Sequence, residues 1–246
     1  MDKLIKDWTQ EEKASFSGWD FSHIKDRMIE EPPPWNYLEL AKSLANNSQS
    51  LLDIATGGGE ILSKLTPMPK MTSAIEGYEP NVSVAKKTLE PLGVKVLYAD
   101  EMGKYPFGAD QFDTVLNRHG GLNLQEIHRV LKNGGQLLTQ QVSGNNLEDL
   151  VTFFGSRVLW PQNTVSVLSK KAKKLGFKIK HAEDWKGYTE FLDVGAIVYF
   201  LRAIPWAVPS FTVESHLTCL QKLQERLGTG NKLRFHTGRF LLSLEK

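Results

Sequence analysis

Three acidic residues and one glycine-rich loop hold the clearest chemical signal in this sequence. Asp53 ends an apolar run and precedes the loop Ala55-Thr56-Gly57-Gly58-Gly59, while Glu76 and Asp100 each end a later apolar run. Carboxylates accept hydrogen bonds from hydroxyl and amino groups. Glycine lets a ligand come close to the backbone because it has no Cβ. The pattern therefore predicts a pocket for a nucleotide-like molecule.

The residues around these glycines exclude two common phosphate-binding loops. No Gly-Lys-Ser/Thr follows them, as a P-loop requires, and the dinucleotide fingerprint fails because its third glycine position is Leu62. The second mismatch also counts against a nicotinamide-dependent oxidoreductase. A purely structural turn between a strand and a helix stays open as the alternative.

The elements that position these residues alternate between strands and helices, which predicts a parallel sheet with helices on both faces. A helix is expected directly after the glycine-rich loop, and Asn81 and Asn123 are candidate N-caps of later helices. Ligands of such sheets bind at the carboxyl ends of the strands, so the three acids are expected at one edge. The predicted strands are 51–54, 72–76, 94–99, 112–117 and 136–142, and the predicted helices are 37–44, 82–92 and 123–132.

The N-terminal region is rich in aromatic residues, among them Trp8, Phe16 and Trp19. We predict a helical lid over the pocket from this region. Packing of the aromatic side chains onto the core is the alternative.

The chain is predicted to form a single domain. Downstream of the core, periodicity leaves open whether 194–204 is a helix capped by Asp193 or a buried strand. The other predicted elements are helices at 147–154, 165–175 and 212–227 and strands at 177–180 and 235–244. The predicted parts of the domain are the lid at 1–45, the core at 46–185, a helical insertion at 186–230 and the last strand at 231–246.

Composition indicates an ordinary globular protein. Of its 246 residues, 41% are hydrophobic and 24% are charged, and the formal net charge is +2. Because the net charge is close to zero, it does not indicate nucleic acid or an acidic membrane as a partner. The single Cys219 excludes an internal disulfide and a cysteine-rich zinc site. No apolar leader or membrane span is visible, so we expect a cytoplasmic protein.

Several features resemble one known family, the class I S-adenosylmethionine-dependent methyltransferases, and in particular those of type 11. Among them are Glu76 at the end of the second strand and the loop that leads from Tyr105-Pro106-Phe107 into the next strand at Phe112-Asp113. Residues 53–59 are similar to the glycine-rich first motif of that family, with Ala55 at its first glycine position. Residues 126–135 are similar to the recurrent E-x-x-R-V-L-K-P-G-G segment, with Asn133 in place of the proline. The resemblance implies a doubly wound, mostly parallel, seven-stranded Rossmann-like sheet. It also implies S-adenosyl-L-methionine as the cofactor and no metal.

The resemblance further implies how the cofactor is held. Asp53 would hold its ammonium group, and Asp100 would accept a bond from its adenine amino group. Glu76 would accept bonds from both ribose hydroxyls, and Glu79 is the alternative for this role. Asn117 and Arg118 would lie beside the methionine end and the transferred methyl. The remaining cofactor-binding residues would be Ala55, Thr56, Gly57, Gly59, Gly77, Tyr78, Glu101 and Met102.

The predicted reaction is direct displacement at the sulfonium methyl, in which alignment of the reactants suffices and a general base is optional. Asn117 and His119 are the predicted catalytic residues, and His23 and His236 are the alternative bases. The aromatic and polar residues that could overhang the site suit a small or planar acceptor; they are Trp19, His23, Trp35, His119, Gln140 and Trp206.

Two other functions stay open. Lysines at 170–180 could contact RNA phosphates, although a solvated helix face explains them more simply. A protein that binds the cofactor without catalysis is the other alternative. The oligomeric state is not predicted.

Overall fold

The structure is a computed structural model that describes residues 2–16 and 21–246. The chain divides into two compact units. We call the first the sheet unit; it comprises Pro34–Val142, Asn163–Asp184 and Arg239–Lys246. We call the second the helical unit; it comprises Met1–Pro33, Ser143–Gln162 and Trp185–Gly238.

The described residues form eight α-helices and eight β-strands. The helices are α1 (Asp2–Lys13), α2 (Tyr37–Asn46), α3 (Glu79–Leu89), α4 (Leu124–Val130), α5 (Glu148–Phe153), α6 (Val165–Lys174), α7 (Val194–Ala203) and α8 (Leu217–Gly228). The strands are β1 (Met28–Glu30), β2 (Ser50–Ile54), β3 (Met71–Glu76), β4 (Lys95–Tyr98), β5 (Phe112–Arg118), β6 (Leu131–Val142), β7 (Lys178–Phe191) and β8 (Leu233–Glu245). Within these ranges no helix has both the length and the apolar character needed to span a membrane.

In the sheet unit the strands lie in the order β7-β8-β6-β5-β2-β3-β4. The central strand β2 pairs in parallel with β3 and β5, which places Asp53 beside Ala74 and Ile54 beside Asn117. The pairs β3–β4 and β5–β6 are also parallel, whereas β8 runs antiparallel to β6. All five residues of β2 are buried. A strand covered on both faces needs a continuous apolar run, which is what the sequence has here.

Helices cover both faces of this sheet. One hydrophobic cluster contains residues of α4 and α6, and another contains residues of α2 and α3. Successive residues of a strand point to opposite faces, and accordingly Leu51 belongs to the second cluster whereas Leu52 and Ile54 belong to the first. The same alternation directs Asp53 towards the face of α2, on which Tyr37 is buried.

The helical unit has its own core, centred on α7. Eight of the ten residues of α7 are buried, and six of them belong to one cluster with residues of α1, α5 and α8. Asp193 caps α7 by accepting a 2.8 Å hydrogen bond from the N–H of Ala196. The guanidinium of Arg27 makes two 2.7 Å bonds to Asp193 and a 2.6 Å bond to Glu11. These bonds tie α1, α7 and the segment before β1 together.

The predicted fold class is confirmed: the sheet unit is a doubly wound, mostly parallel Rossmann-like sheet. The described chain has eight strands rather than the predicted seven, because the pattern did not reveal β1. This three-residue strand is too short for a periodic signal. The open choice for 194–204 is decided in favour of a helix, α7, with Asp193 as its cap.

The helix predicted directly after the glycine-rich loop does not form. The structure has only a short 3-10 helix at Leu62–Leu65. Pro67 and Pro69 follow it, and a proline cannot donate a backbone hydrogen bond inside a helix. The chain therefore turns away after one turn and reaches β3 through an extended segment.

Further element boundaries also differ from the predictions; strand β6, for example, begins at Leu131 rather than at 136. The strand predicted at 177–180 continues to Phe191, because β7 pairs with β8 and its last three residues pair with β1. Helix α3 begins at Glu79 rather than after Asn81, with Pro80 in its first turn, where the missing N–H has no helical partner to lose. Helix α4 is capped by Asn123 as predicted but ends at Val130 instead of 132.

Helix α8 begins at Leu217, five residues after the predicted start at 212. The hydroxyls of Thr212 and Ser215 lie 2.6 Å apart, and each also accepts a backbone N–H of the other residue. Such local side-chain bonds compete with helical hydrogen bonds. They hold 212–215 in a turn.

Candidate active site

The glycine-rich loop leaves β2 through three residues with positive φ, namely Ala55 at 56°, Gly57 at 63° and Gly59 at 88°. Glycine adopts this left-handed region without strain, whereas a residue with a Cβ does so at a cost. A Cβ built on Gly59 would lie 2.6 Å from Cγ of Leu89. Gly59 thus allows α3 to pack directly against the loop.

Ala55 takes the left-handed conformation with a methyl group, and Gly120 makes room for that methyl. A Cβ built on Gly120 would lie 2.3 Å from the Cβ of Ala55 and 3.0 Å from Nδ2 of Asn117. The two residues are therefore complementary in shape. Gly120 is not among the predicted site residues, because a contact between positions 65 residues apart has no local sequence signal.

Glu76 connects the end of β3 to the glycine-rich loop. One carboxylate oxygen accepts a 2.7 Å bond from the N–H of Gly57, and the other accepts a 2.8 Å bond from the N–H of Tyr78. Burial raises the pKa of Glu76, the two N–H groups oppose that rise, and the charge of Glu101 adds to it. Each oxygen keeps a second lone pair, so the carboxylate can still accept bonds from a ligand.

Asp53 is a buried carboxyl group, 9% exposed, at the end of β2. Burial raises its pKa to about 7, and the negative charge of Glu76 contributes to the rise. The Thr56 hydroxyl lies close enough to oppose this shift, yet within the described residues it is buried without a hydrogen bond of acceptable geometry. None of the described groups that shift the pKa of Asp53 is a cation. A ligand ammonium group would stabilise the ionised form of this carboxyl group.

The loop after β4 brings Asp100, Glu101 and Met102 to the same edge. Asp100 accepts a 2.8 Å bond from the N–H of Met102, and the hydroxyl of Tyr105 donates to the carbonyl of Glu101 at 2.8 Å. A Cβ on Gly77 would lie 2.7 Å from Oε2 of Glu101, so this loop packs against the turn that follows β3. The Met102 side chain is 57% exposed, and it offers an apolar surface to a ligand.

Asn117 is fully buried at the end of β5. Its Nδ2 donates to the carbonyls of Ile54 at 3.1 Å and Gly121 at 3.3 Å. Its Oδ1 accepts from Thr139 at 3.0 Å and from Gln141 at 2.6 Å. All four hydrogen-bonding positions of the amide are occupied by protein groups. In this arrangement Asn117 joins β2, β5 and β6 at the edge of the site.

His119 follows β5 with a φ of 61°, an uncommon conformation for a residue other than glycine. Its N–H donates to the carbonyl of Gln140 at 2.8 Å, and its Nε2 lies 2.9 Å from Nε2 of Gln140. By surface area the residue is exposed, yet the ring is crowded by protein atoms. This burial lowers the pKa of His119 well below its usual range, and Arg118 and Arg239 lower it further.

The structure brings the predicted cofactor-binding residues to the carboxyl edge of the sheet unit, where Glu76 raises the pKa of Asp53 and Glu101 raises that of Glu76. Of the predicted acceptor-site residues, Trp35, His119 and Gln140 form one hydrogen-bonded group there. His23, His236 and Trp206 belong to the helical unit. Trp19 and the rest of 17–20 lie outside the described residues, so the lid at 1–45 stays a prediction.

The residue types at this edge suit S-adenosylmethionine. The carboxyl groups of Asp53 and Glu76 can accept bonds from ammonium and hydroxyl groups, and the orphaned Thr56 hydroxyl is a further polar partner beside them. A cluster of carboxylates would repel a pyrophosphate, whereas it attracts a cationic sulfonium compound. The edge is thus matched in charge to a cation.

Comparisons with known proteins agree with this chemistry. Residues 52–139 match the family described as methyltransferase domain. No curated protein sequence matches the chain significantly.

Solved structures share the fold at low sequence identity. A putative methyltransferase from Bacillus halodurans C-125 is 20% identical with a TM-score of 0.61, over 85% of this chain and 96% of that one. The YcgJ protein from Bacillus subtilis is 17% identical with a TM-score of 0.58, over 85% and 97%. A functionally unknown protein from Deinococcus radiodurans R1 is 11% identical with a TM-score of 0.61, over 99% and 97%.

The motif order, the sheet and the acidic edge agree with the family match. The matched segment begins in β2 and ends in β6, so it contains the glycine-rich loop and all three acids. Residues 52–139 therefore carry a methyltransferase domain of the class I, S-adenosylmethionine-dependent type.

Proposed function

We propose that the protein moves the methyl group of S-adenosylmethionine to a small-molecule acceptor by direct displacement. The observation that carries this proposal is the pair formed by Asp53 and Thr56. A buried carboxyl group with a pKa of about 7 lies near a buried hydroxyl that lacks a hydrogen bond in the described chain. Buried polar groups are normally satisfied, so this pair suits the ammonium group of a bound amino acid.

The other proposed contacts follow from position. Glu76 accepts the ribose hydroxyls with the lone pairs that Gly57 and Tyr78 leave free, and Asp100 accepts the adenine amino group. Charge-assisted bonds of this kind are stronger than neutral ones. The other residues proposed to line the cofactor are Ala55, Gly59, Gly77, Glu101, Met102 and Asn117.

When bound, the cofactor supplies an electrophilic methyl group on a positively charged sulfur. The chain contributes alignment: the glycine-rich loop is tied to β3 through Glu76, and Asn117 ties β5 to β2. Fixed geometry of this kind accounts for much of the rate of a bimolecular displacement. A neutral acceptor nucleophile needs no proton removed before it attacks.

A small molecule is favoured over RNA by the state of the lysine-rich segment. Lys178 and Lys180 both form ion pairs with Glu245, at 3.2 Å and 3.1 Å. The charges of these two lysines are therefore partly compensated within the protein. The remaining lysines lie on the outer face of α6, where solvated cations are ordinary.

The test combines binding and turnover. Calorimetric titration with S-adenosylhomocysteine should show one saturable site, and NADH should show none. Transfer of labelled methyl from the cofactor is then screened against small-molecule acceptors and against bulk RNA at low and high salt. Failure to bind S-adenosylhomocysteine would refute the proposal, and salt-sensitive labelling of RNA alone would replace the small-molecule acceptor. Binding with no turnover on any acceptor would indicate a non-catalytic cofactor-binding protein.

A further inference from the structure

The hydrogen bonds of Gln140 determine which nitrogen of His119 carries the proton. The indole N–H of Trp35 donates to Oε1 of Gln140 at 2.7 Å. Because an indole nitrogen can only donate, this contact orients the amide and directs its NH₂ group to Nε2 of His119. An NH₂ group also only donates, so Nε2 must be the acceptor. The imidazole is therefore neutral, with its proton on Nδ1.

This arrangement leaves His119 with a donor group, the Nδ1–H, and no free acceptor. Its Nε2 is occupied by Gln140, and its Nδ1–H has no hydrogen-bond partner within residues 2–16 and 21–246. A general base must present a free lone pair to the proton that it removes, and neither nitrogen does so here. The left-handed backbone of His119, held by its N–H bond to Gln140, keeps the ring in place.

The neighbourhood of His119 is cationic. Arg118 and Arg239 both act on its pKa, and no carboxylate does so among the described groups. Arg118 is exposed at the end of β5, and its side chain makes no hydrogen bond or ion pair with any residue that the structure describes. A guanidinium group without a partner is well suited to bind a carboxylate in a bidentate manner.

We propose that Arg118 and the Nδ1–H of His119 bind a carboxylate group of the methyl acceptor, so that His119 orients the acceptor and does not act as a base. This inference depends on the proposed function, and it assigns Arg118 to the acceptor rather than to the cofactor. The ammonium and carboxylate of the cofactor are attached to one carbon atom. Asp53 and Arg118 both act on the pKa of the buried Tyr37, but Arg118 is not among the groups that shift the pKa of Asp53, which favours the acceptor over the cofactor as the ligand of Arg118.

The proton position can be measured without any substrate. Nitrogen NMR of the histidine rings should show His119 protonated on Nδ1 and accepting at Nε2 at neutral pH. Trp35→Phe removes the donor that orients Gln140, and the preference for the Nδ1 proton should be lost. Trp160→Phe, at an exposed indole, is the matched control and should leave the His119 signals unchanged. A proton on Nε2 in the wild type would overturn the proposal.

The anion site can be probed with acetate, with acetamide as the neutral analogue. In the presence of S-adenosylhomocysteine, acetate should shift the His119 ring signals saturably and acetamide should not. Arg118→Gln should weaken acetate binding by about tenfold or more, the effect of losing one charge-assisted contact, and Arg118→Lys should restore part of it. Lys174→Gln, which removes an exposed charge on α6, is the control. An equal response to both analogues would refute the anion site.

Cofactor binding separates this proposal from the proposed function. Arg118→Gln should bind S-adenosylhomocysteine as the wild type does. If instead it loses affinity for S-adenosylhomocysteine but keeps its affinity for 5′-methylthioadenosine, which has no carboxylate, Arg118 belongs to the cofactor and the proposal fails. The methyltransferase assignment would survive that result. It would not survive a wild type that binds neither compound.

Discussion

The carboxyl edge of the sheet unit has two parts of opposite charge. The part formed by β2, β3 and β4 presents Asp53, Glu76 and Asp100, whereas the part formed by the end of β5 presents Arg118 and His119. Both parts belong to one sheet, and they are adjacent because β5 pairs directly with β2. The comparison suggests that the acidic part selects a cation and the cationic part selects an anion, so that two reactants are sorted by charge on one edge.

The two parts also differ in how firmly they are built. The carboxylate of Glu76 in the acidic part accepts two backbone N–H bonds, whereas the side chain of Arg118 in the cationic part has no bonded partner in the described chain. The fold thus fixes Glu76 before a ligand binds, whereas it leaves the guanidinium of Arg118 available to a ligand. Ala55 and Gly120 form the seam between the two parts, since their atoms pack against each other.

The largest expected effect comes from Glu76→Gln in the acidic part. The NH₂ group of the new glutamine would face one of the two backbone N–H groups that now donate to Glu76. The substitution also removes the negative charge that would bind the ribose hydroxyls. We expect affinity for S-adenosylhomocysteine to fall by about 100-fold, or about 3 kcal/mol for two charge-assisted bonds. Calorimetric titration measures it, with Glu79→Gln as the control that should change little. A loss of affinity in Glu79→Gln with none in Glu76→Gln would move the ribose contact to Glu79 and contradict the role of Glu76.

The next effect is expected at the seam. Gly120→Ala adds a Cβ that would lie 2.3 Å from the Cβ of Ala55. Overpacking of this kind lowers the free energy of unfolding by about 2 kcal/mol. Chemical denaturation should show this loss, and Gly228→Ala, whose added Cβ meets nothing within 4 Å, serves as the control. Combining Gly120→Ala with Ala55→Gly should recover most of the loss. No recovery in the double variant would mean that the two residues are not coupled.

The third effect is a pH dependence of ligand binding. Since only the ionised form of Asp53 attracts an ammonium group and its pKa is about 7, affinity for S-adenosylhomocysteine should rise about tenfold from pH 6 to pH 8. Asp53→Asn should remove most of this dependence, and titrations across the pH range measure it. A wild type whose affinity does not change with pH would contradict the role of Asp53.

The stability of the ligand-free protein should fall as pH rises, whereas its affinity for S-adenosylhomocysteine should increase. The folded pKa of Asp53 is raised above the unfolded value, so the folded state binds more protons between about pH 4 and pH 7. The contribution of Asp53 to the free energy of unfolding therefore falls as pH rises through this window. The Asn variant should show a smaller decline, which denaturation at several pH values tests.

The smallest effect is expected for Ala55→Gly alone. The glycine removes the strain of the left-handed conformation, which should stabilise the fold by about 1 kcal/mol. It also removes a methyl group that packs against Gly120, which should destabilise the fold by about the same amount. The free energy of unfolding should change by less than about 1 kcal/mol. A loss well above this value in denaturation would show that the methyl supports the loop more than its backbone strain weakens it.

Local patterns predicted the parts of the fold whose cause is local. The buried strand β2 has a continuous apolar run because both its faces are covered, and Asn123 and Asp193 cap their helices with their own side chains. The helix after the glycine-rich loop was predicted wrongly, since its apolar spacing outweighed the prolines at 67 and 69. The length of β7 was missed because its pairing depends on distant strands.

The sequence by itself determined the alternation of strands and helices, the glycine-rich loop and the acids at the strand ends, because each depends on neighbouring residues. Tertiary structure alone decided that Trp35, Gln140 and His119 form one hydrogen-bonded group and that Ala55 meets Gly120. These contacts join residues far apart in the chain. Burial and orientation, which set the pKa of Asp53 and the proton position on His119, exist only once the sheet has formed.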